Sequence, residues 1–183
     1  MEEENTTGEI KENLEKISEN AKDWNMYLAV TTAIIAVLAA IASLLSGTFS
    51  NEAILEKNNA ILYQNKASDQ WSYYQAKGVK KNLAESFYEQ FGNEKLKADV
   101  DRYTKEQEEI KKQADEFEKK VKESNINSFR QLEKHHKSAL AVTFFQIAIA
   151  LSAISALLKR KSFWYISILL AAIGLGFFLI GLR

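Results

Sequence analysis

Hydrophobic residues concentrate in three blocks that contain no Asp, Glu, Lys or Arg. The blocks are residues 27–49, 139–158 and 163–182. About 20 residues of α-helix rise roughly 30 Å, which is the thickness of the hydrocarbon core of a bilayer. The pattern therefore predicts an all-α integral membrane protein with three transmembrane helices. The predicted transmembrane helices are 26–49, 138–158 and 162–182.

The polar segment 50–137 lies between the first and second apolar blocks and contains no proline. Its one clear helix breaker is the run Phe91-Gly92-Asn93. Glycine suits the left-handed residue that ends a helix, and asparagine suits the cap of the next helix. The segment is therefore predicted to form a long, coiled-coil-like, antiparallel hairpin outside the membrane, with its turn at 91–93.

The second arm of this hairpin has the most regular pattern in the chain. Apolar residues and one glutamine alternate at spacings of four and three, among many Lys and Glu residues. The positions are Leu96, Val100, Tyr103, Gln107, Ile110, Ala114, Phe117 and Val121. This spacing is typical of a helix that packs along one stripe and exposes a charged face to solvent.

The first arm carries more apolar and aromatic residues than a single partner helix can cover. Ala53, Ala60 and Ala67 repeat every seven residues, and two further pairs repeat with them, Ile54 with Ile61 and Leu55 with Leu62. Packing between copies is the favoured interpretation, and an aromatic ligand site near Trp71 is the alternative. The contact candidates are Ile54, Ile61, Trp71, Tyr74, Leu83 and Phe87 on the first arm, and Leu96, Val100, Tyr103, Ile110, Phe117 and Val121 on the second.

Three stretches outside the arms also carry predictions. Residues 1–25 form a polar N-terminal segment in which Ile10, Leu14, Ile17, Ala21 and Trp24 predict a short amphipathic helix. At 47–51 we expect a kink or short break, the alternative being a helix that continues straight out of the membrane. At 124–128 a run of poor helix formers predicts a second kink or break.

Small and polar residues within the apolar blocks are candidates for packing between helices. Small side chains let helix backbones approach closely in lipid, and a polar side chain there seeks a hydrogen-bond partner. The packing candidates are Ala36, Ala40, Ser43, Gly47, Gln146, Gly174 and Gly176.

Composition excludes several classes of function. The net charge is zero, and residues 51–137 contain 17 basic and 16 acidic residues, so binding to nucleic acid is not expected. There is no cysteine. Glu133 and His136 form a single Glu-x-x-His pair, whereas carboxylate-bridged di-metal sites need two such pairs and further carboxylates. No phosphate loop or catalytic motif is present, so we expect no metal site, no cofactor and no enzymatic activity.

The segment 51–55 and the run Ala-Ser-Asp-Gln-Trp-Ser-Tyr-Tyr-Gln-Ala-Lys at 67–77 follow an alanine-rich block. In these residues, and in the order of its parts, the chain resembles the family of mostly bacterial membrane proteins called domain of unknown function 4337. The resemblance implies an inner-membrane protein and transfers no catalytic residues. The basic turn 159–161 favours a cytoplasmic location for itself and the N-terminus, with the hairpin periplasmic or extracellular, although basic residues near the block ends are equally numerous on both sides.

These features favour a membrane-anchored helical scaffold that self-assembles through its hairpin and its spans. The expected partners are membrane lipid, further copies of the chain and an unidentified protein at the first arm. One alternative is a homo-oligomeric pore, for which the lining candidates are Thr31, Thr32, Thr143, Gln146, Ser152 and Ser155. The other is a ligand or peptide sensor that uses the aromatic residues of the first arm.

Overall fold

The chain is all-α in the computed structural model, which describes side chains from Trp24 to Arg183. Three helices follow one another, α1 (Glu2–Phe91), α2 (Glu94–Leu158) and α3 (Lys161–Leu182). The predicted amphipathic stripe at residues 10–21 lies outside the described side chains. Each helix contains a window with mean hydropathy of 2.5, 2.1 or 2.4, so three helices are long and apolar enough to cross a membrane.

The turn between α1 and α2 is built by Gly92 and Asn93. Gly92 has φ +63°, which confirms the left-handed residue predicted there, and its N–H donates to the Tyr88 carbonyl at 2.8 Å. The side chain of Asn93 accepts a hydrogen bond from the Lys95 backbone N–H at 3.0 Å. Glycine and asparagine thus satisfy backbone groups that the two helix ends would otherwise leave unpaired.

A break at 47–51 or 124–128 is wrong, because α1 and α2 continue through these segments. At 47–51 the continuous helix agrees with the alternative interpretation. At 124–128 the poor helix formers bond across to α1, where Ser128 donates to the Ala53 carbonyl at 2.8 Å. Asn125 accepts a hydrogen bond from Lys57, also at 2.8 Å. Such contacts outweigh an intrinsic preference of a few tenths of a kcal/mol per residue.

The chain divides into two compact units. We call residues 1–49 with 133–183 the apolar unit, and residues 50–132 the charged unit. The core of the apolar unit contains Ile35, Ala42, Ala141, Phe145, Ala148 and Phe178. The charged unit consists of the first arm, residues 50–91 of α1, and the second arm, residues 94–132 of α2.

Close packing in the apolar unit centres on Phe145, which is fully buried. Gly174 lies against it, and a Cβ at this glycine would come within 3.1 Å of the Phe145 ring. Ser152 and Ser167 are buried nearby and share a hydrogen bond of 2.8 Å, and Ser167 also bonds the Ala148 carbonyl at 2.7 Å. These bonds satisfy hydroxyl groups that would be costly to bury alone.

Only one of the small residues predicted to pack between helices is buried within the chain, namely Gly174. The other candidates are exposed in the single chain. They are Ala36, Ala40, Ser43, Gly47, Gln146 and Gly176. Between Trp24 and Phe49, the buried positions of α1 are Leu28, Ile35, Ala42 and Ser46.

Candidate interaction surface

The two arms contact each other along the charged unit. Residue numbers rise along the first arm as they fall along the second. Three contacts illustrate this, from Ala53 to Ser128, from Tyr63 to Phe117 and from Lys77 to Glu106. We call the buried residues at which the two arms pack against each other the seam.

On the first arm the seam consists mainly of alanine. Ala53, Ala60 and Ala67 are 5%, 3% and 0% exposed, so their seven-residue repeat marks the face that meets the second arm. A methyl group fills little space and therefore allows two helices to approach closely. The buried positions of the first arm are thus occupied by alanine rather than by its larger aliphatic residues.

On the second arm the predicted stripe packs against the first arm of the same chain. Ile110 is 6% exposed and Ala114 is fully buried. Gln107 donates to the Tyr74 carbonyl at 3.2 Å, so the one polar position of the stripe is hydrogen-bonded across the seam. The remaining stripe residues are half-buried, and they are Leu96, Val100, Tyr103, Gln107, Phe117 and Val121.

The aliphatic residues of the first arm lie outside the seam. Ile54 and Ile61 are 57% and 53% exposed, and Leu55 and Leu62 are exposed beside them. These four residues occupy the two positions that follow Ala53 and Ala60, where a solvated coiled coil usually carries polar side chains. Further along the arm, Leu83 and Phe87 are also exposed.

A groove between the arms contains part of this exposed face. Its larger section is a cavity of about 450 Å³ lined by Ser50, Ala53, Ile54, Lys57, Asn125, Ser128, Phe129 and Leu132. A second cavity of about 230 Å³ continues it past Ala60, Ile61 and Val121, and shares Lys57 and Asn125 with the first. The groove therefore runs past both isoleucines, which are seven residues apart. We call it the isoleucine groove.

Phe129 and Leu132 were not among the predicted contact residues. Both are exposed, and they form the second-arm wall of the isoleucine groove together with Ser128. Their signal in the sequence is a pair of apolar residues three apart, following the run of poor helix formers at 124–128. Because the helix continues through that run, this pair stays on the second arm and reaches the groove.

Charged side chains of the unit form ion pairs both between the two arms and within one arm. Lys77 and Glu106 form an ion pair of 2.5 Å, and Arg102 lies 3.8 Å from the same carboxylate. The hydrogen bond from Lys77 lowers the pKa of Glu106, and the same bond raises the pKa of Lys77. Lys77 and Glu106 join the arms, and neither residue lines the isoleucine groove.

The aromatic residues proposed for a sensor are half-buried. Trp71 donates its indole N–H to Glu118 at 2.9 Å, and its ring meets Tyr74 edge-on at 5.6 Å. A cavity of about 230 Å³ in the same region is lined by Gln70, Tyr73, Glu106, Glu109, Ile110 and Gln113 rather than by these two rings. Trp71 therefore acts as a contact between the arms in the single chain.

The residues proposed to line a pore are divided between buried and exposed positions. Ser152 and Ser155 are fully buried and hydrogen-bonded within the chain. Thr31 accepts a hydrogen bond from Trp164 at 3.0 Å, and Thr32 bonds the carbonyl of Leu28. Thr143 and Gln146 are exposed. Of the six candidates, Thr143 and Gln146 are therefore the two exposed ones.

The two adjacent histidines, His135 and His136, differ in burial. His135 is half-buried, and its Nδ1 lies 2.9 Å from the Ser46 carbonyl and 3.0 Å from the Ser46 hydroxyl. Glu133 and His136 are exposed. His135 thus links α1 to α2 within the apolar unit.

Comparison with known proteins gives a family but no described activity. The chain matches no curated protein and no solved structure. The family described as Domain of unknown function (DUF4337) matches residues 24–183. This match includes both arms and all three apolar blocks. The chain therefore belongs to the DUF4337 family.

Proposed function

We propose that this protein is a membrane-anchored helical scaffold that self-assembles and has no catalytic activity. In this proposal the three apolar helices span the bacterial inner membrane, and the charged unit is an antiparallel, coiled-coil-like hairpin outside it. The length and hydropathy of the helices support the spanning arrangement. The basic turn 159–161 favours a cytoplasmic side for itself and a periplasmic or extracellular side for the hairpin.

The observation that carries self-assembly is the exposed aliphatic face on the first arm. Ile54 and Ile61 keep more than half of their surface in solvent although the arm is already paired with the second arm. Burying the exposed half of each side chain would contribute about 1 kcal/mol to the free energy of association, which is half of the value for burying a whole isoleucine side chain. A helix pair that exposes such a repeat has a surface for a further helix.

A second copy of the chain is the partner that fits this face. The isoleucine groove and the aliphatic repeat belong to the same chain, so two copies related by a two-fold axis can each cover the other's exposed face. The charged unit has almost equal numbers of basic and acidic residues, so copies do not repel each other strongly. The seven-residue repeat also provides the register for helix-to-helix packing.

The experiment is a mass measurement of the detergent-purified protein by light scattering across a range of concentrations. We expect the wild-type chain to be an oligomer, and the double variant Ile54→Gln/Ile61→Gln to dissociate at least tenfold more easily, since 1.4 kcal/mol corresponds to a factor of ten. The matched control is Ala76→Gln/Val79→Gln, which changes two exposed first-arm residues that do not line the groove.

Circular dichroism of both variants verifies that the helices are retained. A wild-type protein that is monomeric at every concentration would refute self-assembly. An Ile54/Ile61 variant that associates as strongly as the wild type, or a control variant that dissociates equally, would refute the role of the isoleucine groove.

A further inference from the structure

The turn between α2 and α3 concentrates positive charge. Lys159, Arg160 and Lys161 are consecutive and exposed. Glu133 is the last acidic residue of the sequence, so neither the part of α2 that follows it nor α3 contains a carboxylate side chain. The lysines of the charged unit, by contrast, alternate with acidic residues along the same helix. The turn therefore places three adjacent cations between two apolar helical segments, residues 139–158 and 163–182.

Backbone geometry fixes the three cations at a short turn. Lys159 has φ 53°, and Arg160 is extended before α3 begins at Lys161. The hydroxyl of Ser155 donates to the Arg160 carbonyl at 2.9 Å, which ties the turn to the last part of α2. The turn is thus held close to the end of both helices.

Aromatic residues lie directly beside this turn. The rings of Trp24 and Trp164 meet edge-on at 5.0 Å, and Tyr165 lies 5.2 Å from Trp164. The Lys161 ammonium lies 5.2 Å from the centre of the Trp24 ring. Tryptophan and tyrosine prefer the level of the lipid headgroups, where their rings are partly buried and their polar atoms meet water. The cluster therefore brings cations and interfacial rings to the same place.

We propose that the basic turn, residues 159–161, together with Trp24, Trp164 and Tyr165, is a binding surface for the phosphate headgroup of an anionic phospholipid. Lysine and arginine provide N–H donors for phosphate oxygens, and three adjacent cations favour a lipid with net negative charge over a zwitterionic one. This inference rests on the membrane location in the proposed function and is independent of self-assembly.

Tryptophan fluorescence provides a local reporter. The sequence contains three tryptophans, so Trp71→Phe leaves only Trp24 and Trp164, which belong to the proposed surface. This variant is reconstituted in phosphatidylcholine vesicles that contain unlabelled phosphatidylglycerol. Two parallel samples are compared, one with brominated phosphatidylglycerol and one with brominated phosphatidylcholine. Both samples contain the same mole fraction of brominated lipid. Bromine near the headgroup quenches a tryptophan that it contacts.

We expect brominated phosphatidylglycerol to quench more strongly than brominated phosphatidylcholine. One cation near an anionic surface contributes about fivefold to lipid partitioning. Replacing all three cations, in Lys159→Gln/Arg160→Gln/Lys161→Gln, should therefore remove most of the excess quenching. The matched control, Lys105→Gln/Lys111→Gln/Lys112→Gln, neutralises three exposed lysines of the second arm and should retain the excess. Circular dichroism verifies that both variants keep their helices.

The remaining outcomes separate the failure of this inference from the failure of the proposed function. Equal quenching by the two lipids overturns the preference for anionic lipid but leaves the membrane location intact. Absence of quenching by either lipid overturns both. If inorganic phosphate removes the excess and chloride at the same ionic strength does not, the surface takes soluble phosphate and the assignment to lipid is wrong. Loss of the excess in the control variant likewise overturns the assignment to residues 159–161.

Discussion

The two arms of the charged unit use apolar residues in opposite ways. The second arm buries its large apolar residue Ile110 in the seam and exposes charged side chains beside it. The first arm buries alanines in the seam and exposes Ile54 and Ile61. Both arms are long helices with regular repeats, so regularity alone does not distinguish a stabilising face from a surface for a partner. The residues that remain exposed do, because they include isoleucines on the first arm and are mostly charged on the second.

This difference assigns separate roles to the arms. Alanine in the seam allows close approach but contributes little buried apolar area, so the second arm and the hydrogen bonds across the seam supply much of the cohesion. The aliphatic residues of the first arm contribute little to the single chain. They remain exposed together with Phe129 and Leu132, and we interpret this combined face as the surface for a second copy.

The comparison is tested most directly by the same substitution on each arm. Ile110→Ala removes a buried side chain and is expected to lower the free energy of unfolding by about 2–5 kcal/mol. Ile61→Ala removes a side chain that is 53% exposed and should lower it by about 1 kcal/mol or less in protein diluted until copies dissociate. Unfolding in detergent, followed by circular dichroism, measures both.

Equal losses for the two variants would contradict the division of roles. If Ile61→Ala destabilised the diluted chain as strongly as Ile110→Ala, the first-arm isoleucines would be core residues of the single chain. The exposed face would then need no second copy to explain it.

A smaller effect is expected from enlarging a seam alanine. Ala67 is fully buried, so Ala67→Leu forces extra volume between the arms and should lower the free energy of unfolding by about 1–3 kcal/mol. Ala76 is exposed on the same arm, so Ala76→Leu makes the same exchange without adding volume to the seam and serves as the control. Alanine and leucine have similar helix propensity, so the exchange itself should have little effect on an exposed helix position. The measurement is again unfolding in detergent. A neutral Ala67→Leu would mean that the alanine repeat does not set the distance between the arms.

The sequence was sufficient to predict the all-α class, the turn residue at Gly92 and the residues of the second-arm stripe. These features depend on local preference and on a single periodicity, which are both visible in one chain. It was misleading at 47–51 and 124–128, where poor helix formers remain helical. In the second segment Asn125 and Ser128 bond residues 68 and 75 positions away, and such long-range contacts leave no local trace.

The site was less predictable than the fold for a related reason. The heptad repeats of Ala53 and Ile54 differ by one position, and periodicity alone does not show which repeat faces the partner arm. The structure resolves this, with alanine in the seam and isoleucine outside. Phe129 and Leu132 were missed as contact residues, because the predicted break at 124–128 separated them from the second-arm stripe.

The smallest expected effect concerns the ion pair that joins the arms. The pKa of Glu106 is lowered chiefly by the hydrogen bond from Lys77, so the folded state favours the ionised carboxylate. Stability from this group is fully present above the ordinary glutamate pKa of about 4.3 and is lost as pH falls through the lower pKa of the folded state. Lys77 has the opposite sign, because its pKa is raised, and its contribution is lost only as pH rises through that raised value.

Glu106→Gln should therefore reduce the loss of thermal stability between neutral pH and the acid range, while leaving the helix content unchanged. The effect should be small, because the carboxylate is one-third exposed and water screens the pair. The control is Glu108→Gln, an exposed carboxylate on the same arm, which should keep the acid dependence of the wild-type chain. Melting followed by circular dichroism at a series of pH values measures this. If Glu106→Gln and Glu108→Gln had the same acid profile, the Lys77–Glu106 pair would not contribute to the cohesion of the arms, and the seam alone would account for it.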